Sequence, residues 1–321
     1  MFYNVENLFD TEDDPQTNDN EFLPQGTRYW NSKRYRNKLN NISKVITSLG
    51  EWESPALIGM CEVENEKVMN DLITYSPLKS QQYRYVITES KDQRGIDVAL
   101  MYQRDRFRYI KHEALQVTFP KEPSKKTRDI LYVSGMVLSG DTLDIFVCHF
   151  PSRRGGELAS EENRVMAASI VRSHVDSLMS IRRNAYIVIM GDFNDEPSNK
   201  SISGILNAQP VGRKEVGMSD FYLYNLFSKF ENSEAGGSYK FRRQWNMLDQ
   251  IIVSKKLLDN EGTFYVLPDK AAIFKPDFLL TEDKTHGGKR PKKTYHGIKY
   301  EGGFSDHLPI WVDFIIRKTF H

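Results

Sequence analysis

The chain has 321 residues, 39% hydrophobic and 27% charged, an ordinary globular mixture that excludes an intrinsically disordered chain and supplies material for a sizeable core. A formal charge of +1 excludes a bulk polycation of the histone kind, so any nucleic-acid binding has to rest on local patches. Length does not demand two domains, because large two-sheet α/β folds reach this size as one unit, and one domain over residues 1–321 is expected.

The N-terminus opens directly on a strand-like Phe2-Tyr3-Asn4-Val5, with no basic and apolar leader before it. Such a start is compatible with a trimmed upstream leader, so the compartment stays open: secreted or periplasmic with one, cytoplasmic without. No run of 18 or more apolar residues exists, which argues against stable membrane insertion. Residues 1–25 carry seven acids and no Lys or Arg. Tyr35, Leu39, Ile42, Val45, Ile46 and Leu49 recur at helical spacing, with Asn31 or Ser32 as N-cap and Gly50 placed for the stop. A second helix is predicted from about Leu158 to Met179. Strand-like runs are 56–61, 83–88, 97–102, 130–138, 143–148, 186–190, 248–253 and 309–315. Strands and helices that alternate and then become strand-rich imply mixed sheets covered by outer helices. Long polar segments at 11–28, 120–126, 231–237 and 282–303 read as functional or mobile loops. Cys61 and Cys148 lie in apolar runs and read as small buried hydrophobes, since two cysteines make no disulfide framework.

Three apolar runs end alike: ALIGMC precedes Glu62, LDIFVC precedes His149, and YIVIMG precedes Asp192. A lone polar residue after a strand is ordinarily a turn residue. Three with complementary chemistry point to convergence, because ligands of open α/β sheets bind beyond the carboxyl ends of strands. Asp192 and Asn194, two residues apart, lie on one side of extended backbone, although Asp195 and Pro197 also suit a simple Asx-turn. In Ser305-Asp306-His307 an acid and an imidazole point to opposite sides if extended. Asp249, before Gln250-Ile251-Ile252-Val253, is placed to hold a histidine ring or to be a plain loop acid.

Taken in order, FYNVENL, GMCEVEN, RGIDVALMY, VCHFPSRRGG, GDFNDEP and GGFSDHLP resemble the motifs of the endonuclease/exonuclease/phosphatase superfamily, and the resemblance runs over nearly the whole chain. It implies a four-layer α/β sandwich, two packed mixed β-sheets flanked by helices as in deoxyribonuclease I. It makes Glu62 the principal metal ligand, with Glu6 and Asp306 beside it and Asn4 near the phosphate. Glu6 stands where relatives often have Asp, leaving open whether it binds metal directly or through water. Asp192 and Asn194 then position the attacking water and a phosphate oxygen. His307, paired with Asp249, acts as base or phosphate donor, and His149 contacts the phosphate from the opposite side. A phosphodiester needs its charge neutralised, which carboxylates achieve only through a hard cation, so Mg2+ is expected, with Mn2+ as the substitute. Zn2+ is disfavoured on the reading that neither cysteine is placed with a histidine as a soft-ligand set.

Arg94, Arg153 and Arg154 are candidates for phosphate binding by guanidinium geometry. Arg28, Lys33, Arg34 and Arg36 would extend a basic rim, with Tyr29 and Trp30 as stacking surfaces and Tyr35 facing the core. Residues 284–299 carry Lys289, Arg290, Lys292 and Lys293 without an acid, while His286 and His296 stand outside the catalytic set. The leading expectation is a monomeric nuclease acting on DNA or RNA. A phosphatase or phospholipid phosphodiesterase acting on a small phosphoester or lipid headgroup is the alternative, and a non-catalytic binding module the third. GDFNDEP differs from the GDLNYR of inositol 5-phosphatases, and only Ala271 to Leu280 offers a weak apolar segment of the kind a sphingomyelinase would insert into a membrane.

Overall fold

A computed structural model describes residues 1–50, 53–212, 221–233 and 236–317. The first strand, β1 (Phe2–Leu8), is followed by helix α1 (Ser32–Leu49), whose N-cap Asn31 accepts from the amides of Lys33 and Arg34. Gly50 ends α1 in extended backbone rather than the left-handed conformation; a Cβ there would lie 1.7 Å from the carbonyl oxygen of Glu53, so the glycine serves a close approach. Strand β2 (Leu57–Val63) leads into a helix the periodicity did not reveal, α2 (Glu66–Tyr75), capped by Asn65 accepting from the Val68 amide. Then come β3 (Tyr83–Ile87), β4 (Asp97–Gln103), β5 (Phe107–Leu115), β6 (Ile130–Val137) and β7 (Thr142–His149), the long helix α3 (Glu157–Ile181) and β8 (Tyr186–Asp192). The remainder is strand-rich: β9 (Ala208–Pro210), β10 (Leu223–Asn225), β11 (Tyr239–Phe241), β12 (Gln244–Asn246), β13 (Asp249–Ser254), β14 (Phe264–Val266), β15 (Ala272–Ile273), β16 (Leu280–Glu282), β17 (Lys289–Pro291), β18 (Tyr295–His296), β19 (Lys299–Tyr300), β20 (Ile310–Trp311) and β21 (Phe314–Ile316).

Two large mixed sheets result, with orders β15-β20-β1-β2-β4-β3 and β5-β6-β7-β8-β13-β10-β9. Their facing sides share one core, including Phe2, Val98, Val147, Met190 and Ile251. Helices α1 and α2 cover the first sheet, and α3 packs Ala167, Ala168, Val171 and Val175 over Phe146, Cys148, Ile187 and Ile189 of the second. The fold is the expected four-layer sandwich. Burying one Leu- or Phe-sized side chain contributes ~1.5–3 kcal/mol against ~1–2 kcal/mol for ordering a residue's backbone, so doubly covered strand centres are the stable part and their polar ends need partners.

Strand period positions those ends. In β7, Leu143, Ile145 and Val147 face the other sheet while Phe146 and Cys148 face α3. His149 therefore points to the inter-sheet side, as does Asp192 beyond Val188 and Met190, and Asp249 before Ile251. Among the described residues no helix is long and apolar enough to cross a membrane. In the segment Ala271 to Leu280, Ala271, Ile273 and Leu279 are buried, which removes much of the apolar surface that membrane entry would use.

Candidate active site

His149, Asp192 and Asp249 occupy one row of the second sheet: His149 pairs with Asp192 across parallel β7 and β8, and Asp192 with Asp249 across antiparallel β8 and β13. Close approach of β7 and β8 depends on Gly191, where a Cβ would meet the Cys148 carbonyl oxygen at 2.4 Å. The first sheet supplies the facing wall. Asn4 pairs in register with Cys61, and the β1–β2 ladder then shifts register before Leu8 pairs with Val63. Within that bulge Glu6, Asn7 and Glu62 all take left-handed backbone, with φ of 50, 51 and 62°. The amide of Asn7 donates to Glu62 Oε2 at 2.9 Å, so the bulge of β1 fixes the acid of β2.

The two walls touch through polar contacts. Asn4 Nδ2 donates to Asp192 Oδ2 at 3.1 Å, and the Asn194 amide donates to Asp192 Oδ1 at 2.9 Å. His149 Nε2 lies 3.7 Å from Asp192 Oδ2 and 4.0 Å from Glu62 Oε1. Between β19 and β20, Ser305 Oγ donates to the Asn4 carbonyl and accepts from the His307 amide, anchoring the Ser305-Asp306-His307 turn on β1. His307 Nδ1 sits 2.7 Å from Asp249 Oδ2, and its Nε2 lies 3.8 Å from Asp192 Oδ2. Asp306 is half-buried and Glu6 buried. Glu6 Oε2 accepts from the Thr294 amide at 2.7 Å and lies 3.6 Å from Lys38 Nζ.

Crowded acids in a buried cleft shift one another. Burial, then repulsion from Asp306, pushes the Glu6 carboxyl up to about 7 despite Lys38. Burial lifts Asp192 to about 7 as well, with His307 pulling down and Asp249 pushing up. For His307, burial favours the neutral ring, but Asp249, Asp192 and Asp306 outweigh it and hold its pKa well above the ordinary histidine value. His149 goes the other way, held well below that value by burial, then by Arg128 and Arg94. The cleft thus holds one cationic and one neutral imidazole on either side of Asp192.

Sequence reasoning missed three residues here. Lys38 is buried on the apolar side of α1 and donates to Thr294 Oγ1 and the Phe304 carbonyl, both at 2.6 Å, tying α1 to the segment that precedes His307. A lysine three residues after Tyr35 and four before Ile42 was the available signal. Arg128, also buried, donates to Asp92 and to the Phe150 carbonyl, which also accepts from Asn194 Nδ2. The Tyr239 ring lies against that of His307, with centroids 4.7 Å apart and planes tilted by 32°, and its short strand carries no motif that would have marked it.

Other expectations need correction. Cys61 is not merely core filling: its sulfur lies within 4.8 Å of ligand atoms of His149 and Asp192, so a cysteine does stand with a histidine. Arg153 donates to the Asn194 carbonyl, Glu157 and Asn199, which leaves it bracing the site loop, whereas Arg94 and Arg154 are exposed. The stretch 284–299 meets acids from elsewhere: Lys289 pairs with Asp277 at 2.7 Å and Arg290 with both Glu301 oxygens at 2.9 Å. Trp30 is fully buried, donating to the Phe9 carbonyl, and offers no stacking surface. Arg28 and Arg34 lie over the Tyr295 and Tyr300 rings, so much of the basic rim is structural.

No curated protein sequence matches the chain. Among solved structures it is similar to an endonuclease/exonuclease/phosphatase family protein from Bacteroides thetaiotaomicron, with TM-score 0.60, 15% identity, and 99% and 97% of the two chains covered. It is also similar to the mannosyl-6-phosphatase Bt3783 of Bacteroides thetaiotaomicron VPI-5482, with TM-score 0.60, 14% identity and 98% of each chain covered. D. rerio TDP2 complexed with single-strand DNA product aligns with TM-score 0.55 and 12% identity, covering 87% and 92%. A family model described as Endonuclease/Exonuclease/phosphatase family matches residues 1–317, and the chain belongs to that family of phosphoester hydrolases.

Proposed function

We propose that the protein is a divalent-metal-dependent phosphodiesterase that cleaves nucleic acid by in-line attack of water. The observation that carries the chemistry is the row His149–Asp192–Asp249, closed by His307 and faced by Glu62. Five carboxylates, Glu6, Glu62, Asp192, Asp249 and Asp306, lie in one cleft against the cations Lys38 and His307, an excess of negative oxygen that fits a hard divalent cation. Glu62, with Glu6 and Asp306, would hold Mg2+ or Mn2+, which supplies neutralisation of phosphate charge. Asp192, with a carboxyl near neutrality and both oxygens held by Asn4 and Asn194, takes the proton of the attacking water. His307, kept charged by Asp249, donates to a phosphate oxygen, and neutral His149 donates from the opposite side. Asn4 orients the Asp192 carboxylate. Asn194, one amide hydrogen committed to the Phe150 carbonyl, keeps its oxygen for the water.

Support for a polynucleotide comes from the β11–β12 hairpin. Beside Tyr239 it presents exposed Phe241, with the Arg242 guanidinium 5.3 Å from its ring centroid, and exposed Arg243. An aromatic face flanked by guanidinium groups suits an unstacked base and its phosphates. Pairing of Lys289 and Arg290 within the protein favours a second reading, a phosphatase or phosphodiesterase of a small phosphoester such as a sugar phosphate or lipid headgroup. Purified protein in Mg2+ or Mn2+ should be assayed against single-stranded DNA, RNA, duplex DNA, sphingomyelin and a hexose 6-phosphate. Turnover confined to the polynucleotides supports the first reading, turnover confined to the small substrates the second, and no turnover on any of them sinks both.

A further inference from the structure

Inside the cleft Cys61, which the proposed hydrolysis does not use, stands with two residues that it does use, His149 and Asp192. The Cys61 sulfur, a ring nitrogen of His149 and a carboxylate oxygen of Asp192 all lie within 4.8 Å of one another, and all three residues are buried. They come from separate elements: Cys61 from the inner face of β2, His149 and Asp192 from paired positions on β7 and β8. His149 is 5% exposed, and its Nδ1 has no hydrogen-bond partner among the described residues. Nε2 is the nitrogen turned toward Asp192 and so the one that would meet an ion, leaving Nδ1 to carry the ring's proton.

Distances suit a small tetrahedral ion. Zinc bond lengths place a nitrogen and an oxygen ligand roughly 3.4 Å apart, and a sulfur and a nitrogen ligand roughly 3.6 Å apart. The observed His149 Nε2 to Asp192 Oδ2 separation is 3.7 Å, so these two need almost no movement. Sulfur has to close in by no more than about 1.2 Å, within reach of rotation about the Cys61 side-chain bond. Ligand chemistry sets the selectivity. Thiolate and imidazole favour Zn2+ and other thiophilic ions, whereas the all-oxygen group of Glu6, Glu62 and Asp306 favours Mg2+ or Mn2+.

We propose that Cys61, His149 and Asp192 form a second, thiophilic metal site in the cleft, and that Zn2+ bound there blocks hydrolysis. On binding, the Cys61 thiol gives its proton to solvent as the sulfur–zinc bond forms, and Asp192 gives up the proton it holds in part near neutrality. The occupied site withdraws from substrate both the His149 donor and the Asp192 carboxylate. The blocking half rests on the function proposed above; the binding half does not.

The test uses the full chain, freed of metal and titrated with Co2+, whose bond to a thiolate gives a near-ultraviolet charge-transfer band that oxygen ligands do not produce. The wild type should show the band saturating at one equivalent, lost to added Zn2+ but retained in a large excess of Mg2+. Cys61→Ser should abolish it, and Cys61→Ala, which buries no hydroxyl, should do the same. His149→Ala should weaken Co2+ binding by at least about 100-fold, more than loss of an outer-sphere partner costs. In Mg2+-supported turnover, with each variant referred to its own uninhibited rate, Cys61→Ser should raise the inhibitory Zn2+ concentration by a similar factor. Absence of the band in the folded wild type, its persistence in both Cys61 variants, or its loss to Mg2+ would overturn the site. A normal band together with unchanged zinc sensitivity in Cys61→Ser would overturn only the blocking half. A protein that shows the band but hydrolyses nothing would leave the site standing and defeat the proposed function.

Discussion

Asp249→Asn is the change that probes the site most sharply, because it keeps shape and removes one charge. Asp249 is fully buried, 2.7 Å from His307 Nδ1, and its other oxygen has no hydrogen-bond partner among the described residues, so the histidine is its principal counter-charge there. Breaking a buried pair by removing one partner costs about 3–5 kcal/mol, since it leaves the other charge uncompensated. At 1.36 kcal/mol per decade of rate, that corresponds to roughly 160- to 5,000-fold if the pair stabilises the transition state, within the range for losing acid or base help. Two readouts separate this from general damage. By NMR the His307 ring should titrate near or below neutrality in Asp249→Asn instead of well above the ordinary value, and kcat should fall by the factor given. The double variant Asp249→Asn/His307→Gln should be no slower than the worse single variant, as expected of residues acting as a unit. Losses that multiply, or a His307 pKa that stays high without Asp249, would refute the coupling.

Glu62→Gln retains an acceptor for the Asn7 amide but removes the charge that would retain the cation, so turnover should fall by at least about 100-fold with an unchanged Tm; an active Gln variant would rule Glu62 out as principal ligand. Glu6 and Asp192 stand near 7 against ordinary values of 4.5 and 3.8, and a raised acid stabilises the native state below the unfolded value and loses that contribution as pH rises through the folded one. His307, raised above 6.5, loses its contribution in the same direction, and these three outweigh His149, which is held below 6.5 and works the other way. Chelated protein should therefore melt lower at pH 8 than at pH 5.5, by at least ~2 °C, the shift given by ~1 kcal/mol in a large domain, and a Tm that rises over this interval would contradict the assignment. Phe241→Ala with Arg242→Glu and Arg243→Glu should slow cleavage of single-stranded DNA at least about 10-fold while sparing bis(p-nitrophenyl) phosphate, the contrast expected of a base-stacking and phosphate-tracking surface. Lys289→Ala and Arg290→Ala, whose charges are already paired, should change neither rate by more than about twofold.

Buried strands were legible because both faces are covered and the runs are continuously apolar, but the carboxyl ends of β2, β7 and β8 were set one or two residues short while the ends of β3 and β6 were set one residue long. β7 and β8 extend through His149 and Asp192, polar residues that continue the ladder while facing the cleft. β5 was missed because only Phe107 and Leu115 of its nine residues are buried, so no alternation shows. The final run, 309–315, divides because its first part pairs with β1 and β15 and its second with β14. Motif residues converged on one cleft because strand parity fixes which way each terminal side chain points. Charge pairing across distant sequence was not legible: nothing near Lys289 or Arg290 announces Asp277 or Glu301, and nothing near Cys61 announces His149. For the same reason the β11–β12 hairpin, unremarkable as sequence, emerged only through the contact of Tyr239 with His307.

The most direct test of the account is hydrolysis of bis(p-nitrophenyl) phosphate by the wild type and by Asp192→Asn in Mg2+, before and after chelation. The wild type should turn over, stop in chelator and resume when Mg2+ is restored, while Asp192→Asn, lacking the carboxylate that takes the water's proton, should be at least about 100-fold slower throughout. A wild-type rate indifferent to chelation, or an Asp192→Asn rate equal to it, would contradict a metal-dependent phosphodiesterase built on this row of residues.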